Sequence, residues 1–247
     1  MKALPQTSQT TGQQAWTVKS HIPRPPRPAT NSIVTRRYDI RWQDASGAEA
    51  SKTIVAPALP IFEQAFSAFA QGTLIQTAEG HVAVEDLQPG DRLATADSGN
   101  RRLVWIGSMT LFPQAEAIGL PQAFLYRISD GSFGLDPCAP DLLLGPSARI
   151  LPGLFAVDSS SPLHDIGELT DSQSVIRIRP VSPVRVFHLG LERHCLLRAN
   201  GVLAESFHPG DNPRIHLSRE MFVLYMSLFP NVDNLSGFGP LRHPRQG

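Results

Sequence analysis

The chain has 247 residues, of which 41% are hydrophobic, and its 22 basic residues balance its 22 acidic ones. This length allows one large domain or two small ones with a sizeable core, and the zero net charge disfavours a globally basic nucleic-acid binder. The 22 prolines and 19 glycines argue against a helical bundle and favour short strands joined by turns.

The N-terminal 37 residues differ in composition from the rest. They contain six basic residues and no acidic one, and include the run Pro23-Arg-Pro-Pro-Arg-Pro28. Low hydrophobicity with regular prolines is typical of a disordered or polyproline tail. We therefore expect residues 1–37 to be a flexible tail, which either lies against its own acidic domain or docks on a protein partner.

The sequence was searched for a secretory signal and for a membrane-spanning segment. The residues from Met1 to Thr10 lack the apolar stretch of a secretory signal, and no segment approaches the ~20 apolar residues of a membrane span. The sequence predicts no membrane span and, by default, a cytoplasmic protein, and the excess of arginine over lysine is typical of a GC-rich bacterial genome.

The middle of the chain has the pattern of an all-β domain. A hairpin is predicted over residues 38–55, with a turn at 43–48 and a linker to residue 65. From Gly72 short strands recur about every ten residues, as in all-β domains. They are predicted at 73–77, 81–84, 92–95, 102–106, 174–179, 184–191 and 195–199. The last segment, 211–247, is predicted to be an extension with one helix at 219–229.

Three ordered segments are distinctive. The first, Phe69-Ala-Gln-Gly-Thr-Leu-Ile-Gln-Thr77, continues through Gly80, Glu85-Asp86 and Gly90-Asp91. The second is residues 141–151, and the third is residues 188–207. Together they resemble the Hint domain, the hedgehog/intein autoprocessing module, in its bacterial branch. The resemblance implies a compact all-β Hint-like domain over residues 66–210.

The same resemblance implies which residues carry the family motif. They are Gly72, Thr73, Gly80, Glu85, Asp86, Gly90, Asp91, His194, Asn200, Gly201 and Glu205.

The resemblance also implies a chemistry. A Cys or Ser at the domain's first position attacks the preceding carbonyl, and a His in the central motif protonates the leaving nitrogen. In this sequence the nucleophile position is Ala68, and the central motif Ser-Pro-x-His reads Gly145-Pro-Ser-Ala148. An alanine neither attacks a carbonyl nor transfers a proton. The sequence therefore favours a degenerate domain that is not an enzyme and serves as a structural or interaction module.

Two alternatives remain open. An active self-processing protein could use Ser67 or a thiol, Cys138 or Cys195, although Ser67 is one position out of register. A conventional enzyme on the same scaffold would need a catalytic constellation that the sequence does not display. No cofactor is predicted, and the binding partner is unknown.

A metal site is also considered. His188 and His194, with His164 or His208, offer ligands, but six residues along a strand separate the first two by ~20 Å. These histidines are therefore predicted to be structural, and no metal is expected.

Overall fold

The computed structural model describes residues 34–44, 46–114, 122–129, 132–133, 140–153, 161–210 and 217–246. These residues belong to one compact unit, Ile33–Gly247. The expected flexible tail falls almost wholly in residues 1–33, which lie outside the described residues.

The unit is built almost entirely from strands, which confirms the predicted fold class. In chain order they are β1 Thr35–Gln43, β2 Glu49–Pro57, β3 Phe69–Ala70, β4 Leu74–Thr77, β5 Gly80–Ala83, β6 Arg92–Thr95, β7 Gly99–Leu111, β8 Leu125–Ile128, β9 Leu142–Leu144, β10 Arg149–Ile150, β11 His164–Asp165, β12 Val175–Ile178, β13 Val184–Leu191, β14 Leu196–Ala199 and β15 Val202–Glu205. The helices are α1 Pro60–Glu63 and α2 Arg219–Met226, with a 3₁₀ turn at Leu235–Phe238.

The described strands form one curled antiparallel sheet. Its path runs β11-β10-β15-β14-β4-β6-β7-β13-β3-β9-β8-β12, with β5 beside β4 and the β1–β2 hairpin attached through β1 to β7. β7 carries the curl, because its first residues pair with β6 and its remaining residues with β1 and β13.

The β1–β2 hairpin forms where the sequence predicted one. Tyr38 pairs with Ile54, and alternate side chains of β1 are buried. Asp44 closes the turn by accepting hydrogen bonds from the Ser46 and Ala48 N–H groups. The strands extend beyond the predicted ends because β1 continues to pair with β2 as far as Pro57.

β7 is much longer than predicted. The sequence predicted this strand over residues 102–106, ending before Gly107, but the strand runs from Gly99 to Leu111. A Cβ at Gly107 would lie 2.2 Å from the Trp105 ring and 2.7 Å from the Phe66 ring. Gly107 therefore makes room for two aromatic rings and does not end the strand.

Besides a small cluster of Leu151, Leu163, Leu196 and Leu203, two large apolar clusters are buried in the described part of the chain. One consists of residues within the segment that resembles the Hint domain, from Ala68 to Ala204. The other joins the hairpin, α1 and the C-terminal segment, through Tyr38, Phe62, Tyr225 and Phe229, around Trp105. The segments before and after the Hint-like domain therefore share a core with it.

The helix α2 is shorter than predicted, since it ends at Met226 and not at residue 229. After the helix, Leu228 and Phe229 turn inward, and the Leu228 carbonyl accepts a hydrogen bond from the Trp105 indole N–H.

Candidate functional site

The site to consider first is the peptide bond between Ser67 and Ala68. α1 begins with Pro60, whose fixed φ suits the first turn of a helix, and continues into turns that bury Phe62 and Phe66. This burial fixes the path of the chain into Ser67. Ala68 then leads directly into β3.

Both sides of this peptide bond are hydrogen-bonded to backbone. The Ser147 N–H donates to the Ser67 carbonyl at 3.0 Å, and the Ala68 N–H donates to the Phe187 carbonyl at 2.9 Å. The Gly145 N–H donates to the Ala68 carbonyl at 2.8 Å. The 145–147 turn therefore lies directly against the position where the family's reaction would occur.

The close approach of this turn depends on Gly145. A Cβ built there would lie 2.2 Å from the Ser67 carbonyl oxygen and 2.7 Å from its carbon. Both atoms are backbone, so neither can rotate away. The residue that departs from the Ser of the family motif is therefore the one that allows the turn to close on Ser67.

Two hydroxyls meet beside the bond. The Ser67 Oγ donates to the Glu63 carbonyl at 2.9 Å and lies 2.7 Å from the Ser147 Oγ. Ser67 is fully buried. Together with Ser147 it forms part of the wall of a pocket that is also lined by Gln64, Pro146 and Arg149. Among the hydrogen bonds of the described residues, these two hydroxyls bond to each other and to a backbone carbonyl and not to a carboxylate or an imidazole, which is the arrangement of a structural hydrogen bond.

Ala68 and Ala148 both belong to the apolar cluster of the Hint-like domain, and each is 1% exposed. The pocket beside the junction is lined by Ser67, Pro146 and Ser147, whereas the methyl groups of the two alanines are buried among core side chains.

His188 lies close to this junction, a position that was not predicted from the sequence. Its Nδ1 is 3.0 Å from the Gln64 carbonyl, and its ring meets Phe69 and Phe207 edge-on. Burial lowers the pKa of His188 to about 4, and its Nε2 has no hydrogen-bond partner. It is a neutral imidazole at pH 7. The pairing of β13 with β3 brings His188 near the junction, and no local sequence pattern predicts that pairing.

The motif residues of the first segment shape turns. The Gly72 N–H donates to Glu85 Oε2 at 2.8 Å, and the Thr73 hydroxyl donates to the Ala70 carbonyl at 2.7 Å. Asp91 Oδ2 accepts the Gln88 N–H at 2.8 Å.

Two motif glycines have a backbone conformation that few other residues adopt. Gly80 and Gly90 have φ of +130° and +107°, in the region that favours glycine. Asp86 donates its N–H to the Ala83 carbonyl in the turn after β5.

Asn200 and Gly201 form the turn between β14 and β15. Asn200 has φ of +46°, its Oδ1 accepts the Leu74 N–H at 2.7 Å, and its Nδ2 donates to the Pro140 carbonyl at 2.9 Å. Gly201 has φ of +92°. Asn200 thus connects the closing motif to β4.

His194 and Glu205 form a buried ion-pair network. The His194 Nε2–H donates to Glu205 Oε1 at 2.8 Å, and the Arg245 Nε donates to the same oxygen at 2.9 Å. Arg149 Nη1 lies 3.5 Å from Oε2. Burial raises the pKa of Glu205, but the hydrogen bond from His194 and the two guanidiniums outweigh burial and hold the pKa at about 2. Glu205 is therefore a carboxylate at all ordinary pH values.

The cysteines and the considered metal ligands do not form a site in the described part of the chain. Cys195 is a buried free thiol whose pKa is raised by burial, and Cys138 lies outside the described residues. The rings of His194 and His208 lie 5.2 Å apart. Among the residues that the structure describes, no group of His, Cys, Asp and Glu side chains could hold a metal ion.

The predicted absence of a membrane span was examined in the helices. Within the described ranges no helix is long and apolar enough to cross a bilayer.

A curled antiparallel sheet closed by an Asn-Gly turn, with a tight turn against the Ser67–Ala68 bond, defines an intein-like class of fold. The family model of the Hint domain matches residues 67–211, which is more than half of the chain. The chain therefore belongs to the Hint domain family.

Solved structures similar to this chain are distant in sequence. A bacterial intein-like domain from Clostridium thermocellum is 14% identical, with a TM-score of 0.40 over 57% of this chain and 99% of that one. The MchDnaB-1 intein is 17% identical, with a TM-score of 0.34 over 57% of this chain and 100% of that one. The gp41-1 intein is 13% identical, with a TM-score of 0.34 over 56% of this chain and 96% of that one. The comparison with curated proteins gave no match.

Proposed function

We propose that this Hint-family protein no longer processes itself and serves as a structural or interaction module. The observation that carries the proposal is the occupation of both chemical positions by alanine, with Ala68 and Ala148 each 1% exposed in an apolar cluster. Autoprocessing needs a nucleophile to form the ester or thioester and a proton donor for the leaving nitrogen. Two methyl groups supply neither.

The hydroxyl of Ser67 is a poor substitute. Its proton is donated to the Glu63 carbonyl, and its oxygen is paired with the Ser147 Oγ. A serine attacks the carbonyl of the residue before it in an N-to-O shift, so Ser67 would act on the Phe66 carbonyl and not on the Ser67–Ala68 bond. Both the geometry and the hydrogen bonding of Ser67 favour a structural role.

The segment before the junction also supports the proposal. β1 pairs with β7, and Phe62 and Phe66 pack in the cluster that contains Trp105 and Tyr225. A cut between Ser67 and Ala68 would therefore leave residues 34–67 held by strand pairing and apolar contacts. A folded flank of this kind is suited to a permanent part of the domain and not to a released product.

One feature of the junction is still suited to catalysis. The Ser147 N–H donates to the Ser67 carbonyl, the oxygen that would become negative in a tetrahedral intermediate. This donor leads us to expect that restored side chains would regain some activity. The alternative of an active self-cleaving domain predicts that the wild type needs no restoration.

A reconstitution series tests the proposal. The wild type, Ala68→Cys and Ala68→Cys/Ala148→His are incubated with dithiothreitol, and intact masses are recorded. The wild type should stay at full mass and the single variant should cleave slowly after Ser67. The double variant should cleave faster, by the roughly 10²–10⁴-fold that a positioned acid–base group typically contributes. Ala148→His without the thiol is the matched control and should stay intact, whereas cleavage of the wild type after Ser67 would overturn the proposal.

A further inference from the structure

The outer strand of the hairpin, β2, is an edge of the sheet. It spans nine residues, Glu49–Pro57, and among the described strands it pairs only with β1, whose other side pairs with β7. A typical strand has about five to six residues, so this edge is long. An edge strand presents backbone groups without partners, and proteins usually shorten, charge or cover such edges. What β2 can bind therefore depends on which of its groups are free.

Two hydrogen bonds fix which backbone groups of β2 point away from the sheet. The Asp44 N–H donates to the Ala48 carbonyl, and the Ala58 N–H donates to the Val34 carbonyl, each at 2.9 Å. Both bonds continue the unbroken register of β1 with β2. In an antiparallel ladder hydrogen-bonded pairs recur at every second residue. The even-numbered residues of β2 therefore bond to β1, and the N–H and C=O groups of the odd-numbered residues face outward.

The free part of the edge consists of Ser51, Thr53 and Val55. None of their outward backbone groups has a hydrogen bond to another residue that the structure describes. Their side chains are exposed, that of Val55 by 59%. Pro57 ends the free part, because it has no N–H and its carbonyl accepts the Tyr38 hydroxyl at 3.1 Å. The edge thus offers three N–H groups and three C=O groups to another strand.

The side chains of β2 do little to protect this edge. After Glu49, Lys52 is the only charged residue in the strand, and the only proline is its last residue. The run Thr53-Ile-Val55 is β-branched, which favours an extended backbone. A long edge of this kind, with one lysine in its middle, is suited to accept a further strand.

The charge of the edge argues for a second copy of this chain as the further strand. A single lysine gives little attraction to a strongly acidic peptide and none to a basic one. A second β2 has the same length and the same spacing of outward groups. Two antiparallel β2 strands related by a two-fold axis therefore present matching donors and acceptors to each other.

The register of such a pair is limited by three residues. An axis at Lys52 would place the two lysines directly opposite each other, and like charges at opposed positions destabilise a sheet. An axis at Ile54 or beyond would place an outward residue opposite Pro57, which lacks an N–H. An axis at Ser51 would leave the Val55 groups against the hairpin turn. These registers are therefore disfavoured.

An axis at Thr53 avoids all three difficulties. Ser51 then lies opposite Val55 of the second copy, and Lys52 lies opposite Ile54 of the second copy. All six outward groups find a partner, and the exposed Val55 gains a neighbour across the strands. The aliphatic stem of Lys52 covers Ile54 while its ammonium stays in water. The two ammonium groups lie on a diagonal at exposed positions, where solvent and salt screen their repulsion.

We propose that β2 pairs with β2 of a second copy, antiparallel about a two-fold axis at Thr53, so that one sheet continues through both copies. The edge is the same whether or not the junction is processed, so this inference is independent of the proposed function. Few residues form the contact, and small interfaces are weak. The dimer is therefore expected to depend on concentration.

The mass of the full chain in solution, measured by sedimentation equilibrium, tests the proposal. It should be near 26.9 kDa at about 10 µM and rise toward twice that value at about 1 mM. Thr53→Pro removes one outward N–H and keeps the bonds of the even-numbered residues to β1, so this variant should remain a monomer. A wild type that stays at 26.9 kDa at about 1 mM would overturn the proposal, as would equal association of the variant.

A cysteine cross-link tests the register and does not depend on the folding of the proline variant. Thr53→Cys places the thiol opposite itself, at a Cα separation of about 5.5 Å, which a disulfide can bridge. Val55→Cys is the matched control, because position 55 lies four residues away from itself across the axis, about 13 Å along the strand. Oxidation should give several-fold more covalent dimer for Thr53→Cys than for Val55→Cys or the wild type. Equal yields would contradict the Thr53 axis.

Amide hydrogen exchange tests the free edge itself. In dilute wild-type protein the outward amides of Ser51, Thr53 and Val55 should exchange quickly, while those of Lys52 and Ile54 are protected by β1. At high protein concentration the three outward amides should become protected. Protection of these amides already in the dilute monomer would show that the edge is covered within one copy, which would overturn the proposal.

Discussion

The junction at Ser67–Ala68 and the cluster of His194, His208, His243, Glu205 and Asp97, here the histidine cluster, are opposites in chemistry. The junction keeps backbone hydrogen bonds and methyl groups, and its two hydroxyls bond to one another. The histidine cluster is buried and dense in titratable groups, with Glu205 at a pKa of about 2. The chain has kept ionisable side chains where they hold elements together and lacks them where the family's reaction would use them.

This difference teaches that a strongly shifted pKa here marks structure and not catalysis. Perturbed groups cluster at active sites in many proteins, but structural ion-pair networks perturb pKa values equally well. Glu205 has its carboxylate oxygens occupied by His194, Arg245 and Arg149. These three contacts are those of a structural ion-pair network, which accounts for the lowered pKa of Glu205.

The largest expected effect is at Glu205. Glu205→Ala should reduce the free energy of unfolding by about 3–5 kcal/mol, because it leaves the buried His194 and the half-buried Arg245 without their partner. Urea unfolding at pH 7 measures this effect. Glu168→Ala, at a residue outside this network, is the control and should cost far less. A loss below 1 kcal/mol would show that the cluster does not hold the domain together.

The next effect is a pH dependence from His188. Its pKa is about 4 in the folded protein, whereas a histidine in water has an ordinary pKa of 6.5, so the neutral ring favours folding. This contribution is complete above pH 6.5 and is lost as the pH falls toward 4, and at roughly 1.4 kcal/mol per pKa unit it amounts to about 3 kcal/mol. Urea unfolding from pH 7 to pH 4 measures it. His188→Gln should lower the slope, and an unchanged slope would contradict the assignment.

A smaller loss is expected at Gly145. Gly145→Ala adds a Cβ against the Ser67 backbone, so the 145–147 turn must move, at a cost of about 1–3 kcal/mol. Thermal unfolding measures the loss. Gly167→Ala is the matched control, because its Cβ would meet only the Tyr126 side chain, at 3.1 Å. Similar losses for the two variants would mean that the contact with Ser67 has no special importance.

The smallest effect is at the serine pair. Ser147→Ala removes one hydrogen bond to Ser67 Oγ but leaves the backbone contact of residue 147 and the bond from Ser67 to Glu63 intact. A net loss of about 1 kcal/mol is expected, as for a typical hydrogen bond. An unfolding free energy equal to that of the wild type would show that the serine pair does not contribute to stability.

Local patterns in the sequence predicted the β1–β2 hairpin and seven further strands, because alternation and turn residues act over a few positions. Asp44 and Gly47 closing the β1–β2 turn are an example. The shorter strands β3, β8, β9, β10, β11 and β15 were not predicted. The role of His188, the contact of Gly145 with Ser67 and the bridge between Leu163 and Arg245 were not predictable, because each joins residues distant in sequence. The burial of Ala68 and Ala148 was not predictable either, since the sheet and not the motif decides which side chains line the pocket.

The central claim concerns the Ser67–Ala68 bond, and the intact mass of the wild-type protein tests it most directly. After prolonged incubation at pH 7 with dithiothreitol or hydroxylamine, the account predicts a single species of full-length mass. Two fragments that meet between Ser67 and Ala68, or between Phe66 and Ser67 where the Ser67 hydroxyl would act, would contradict it.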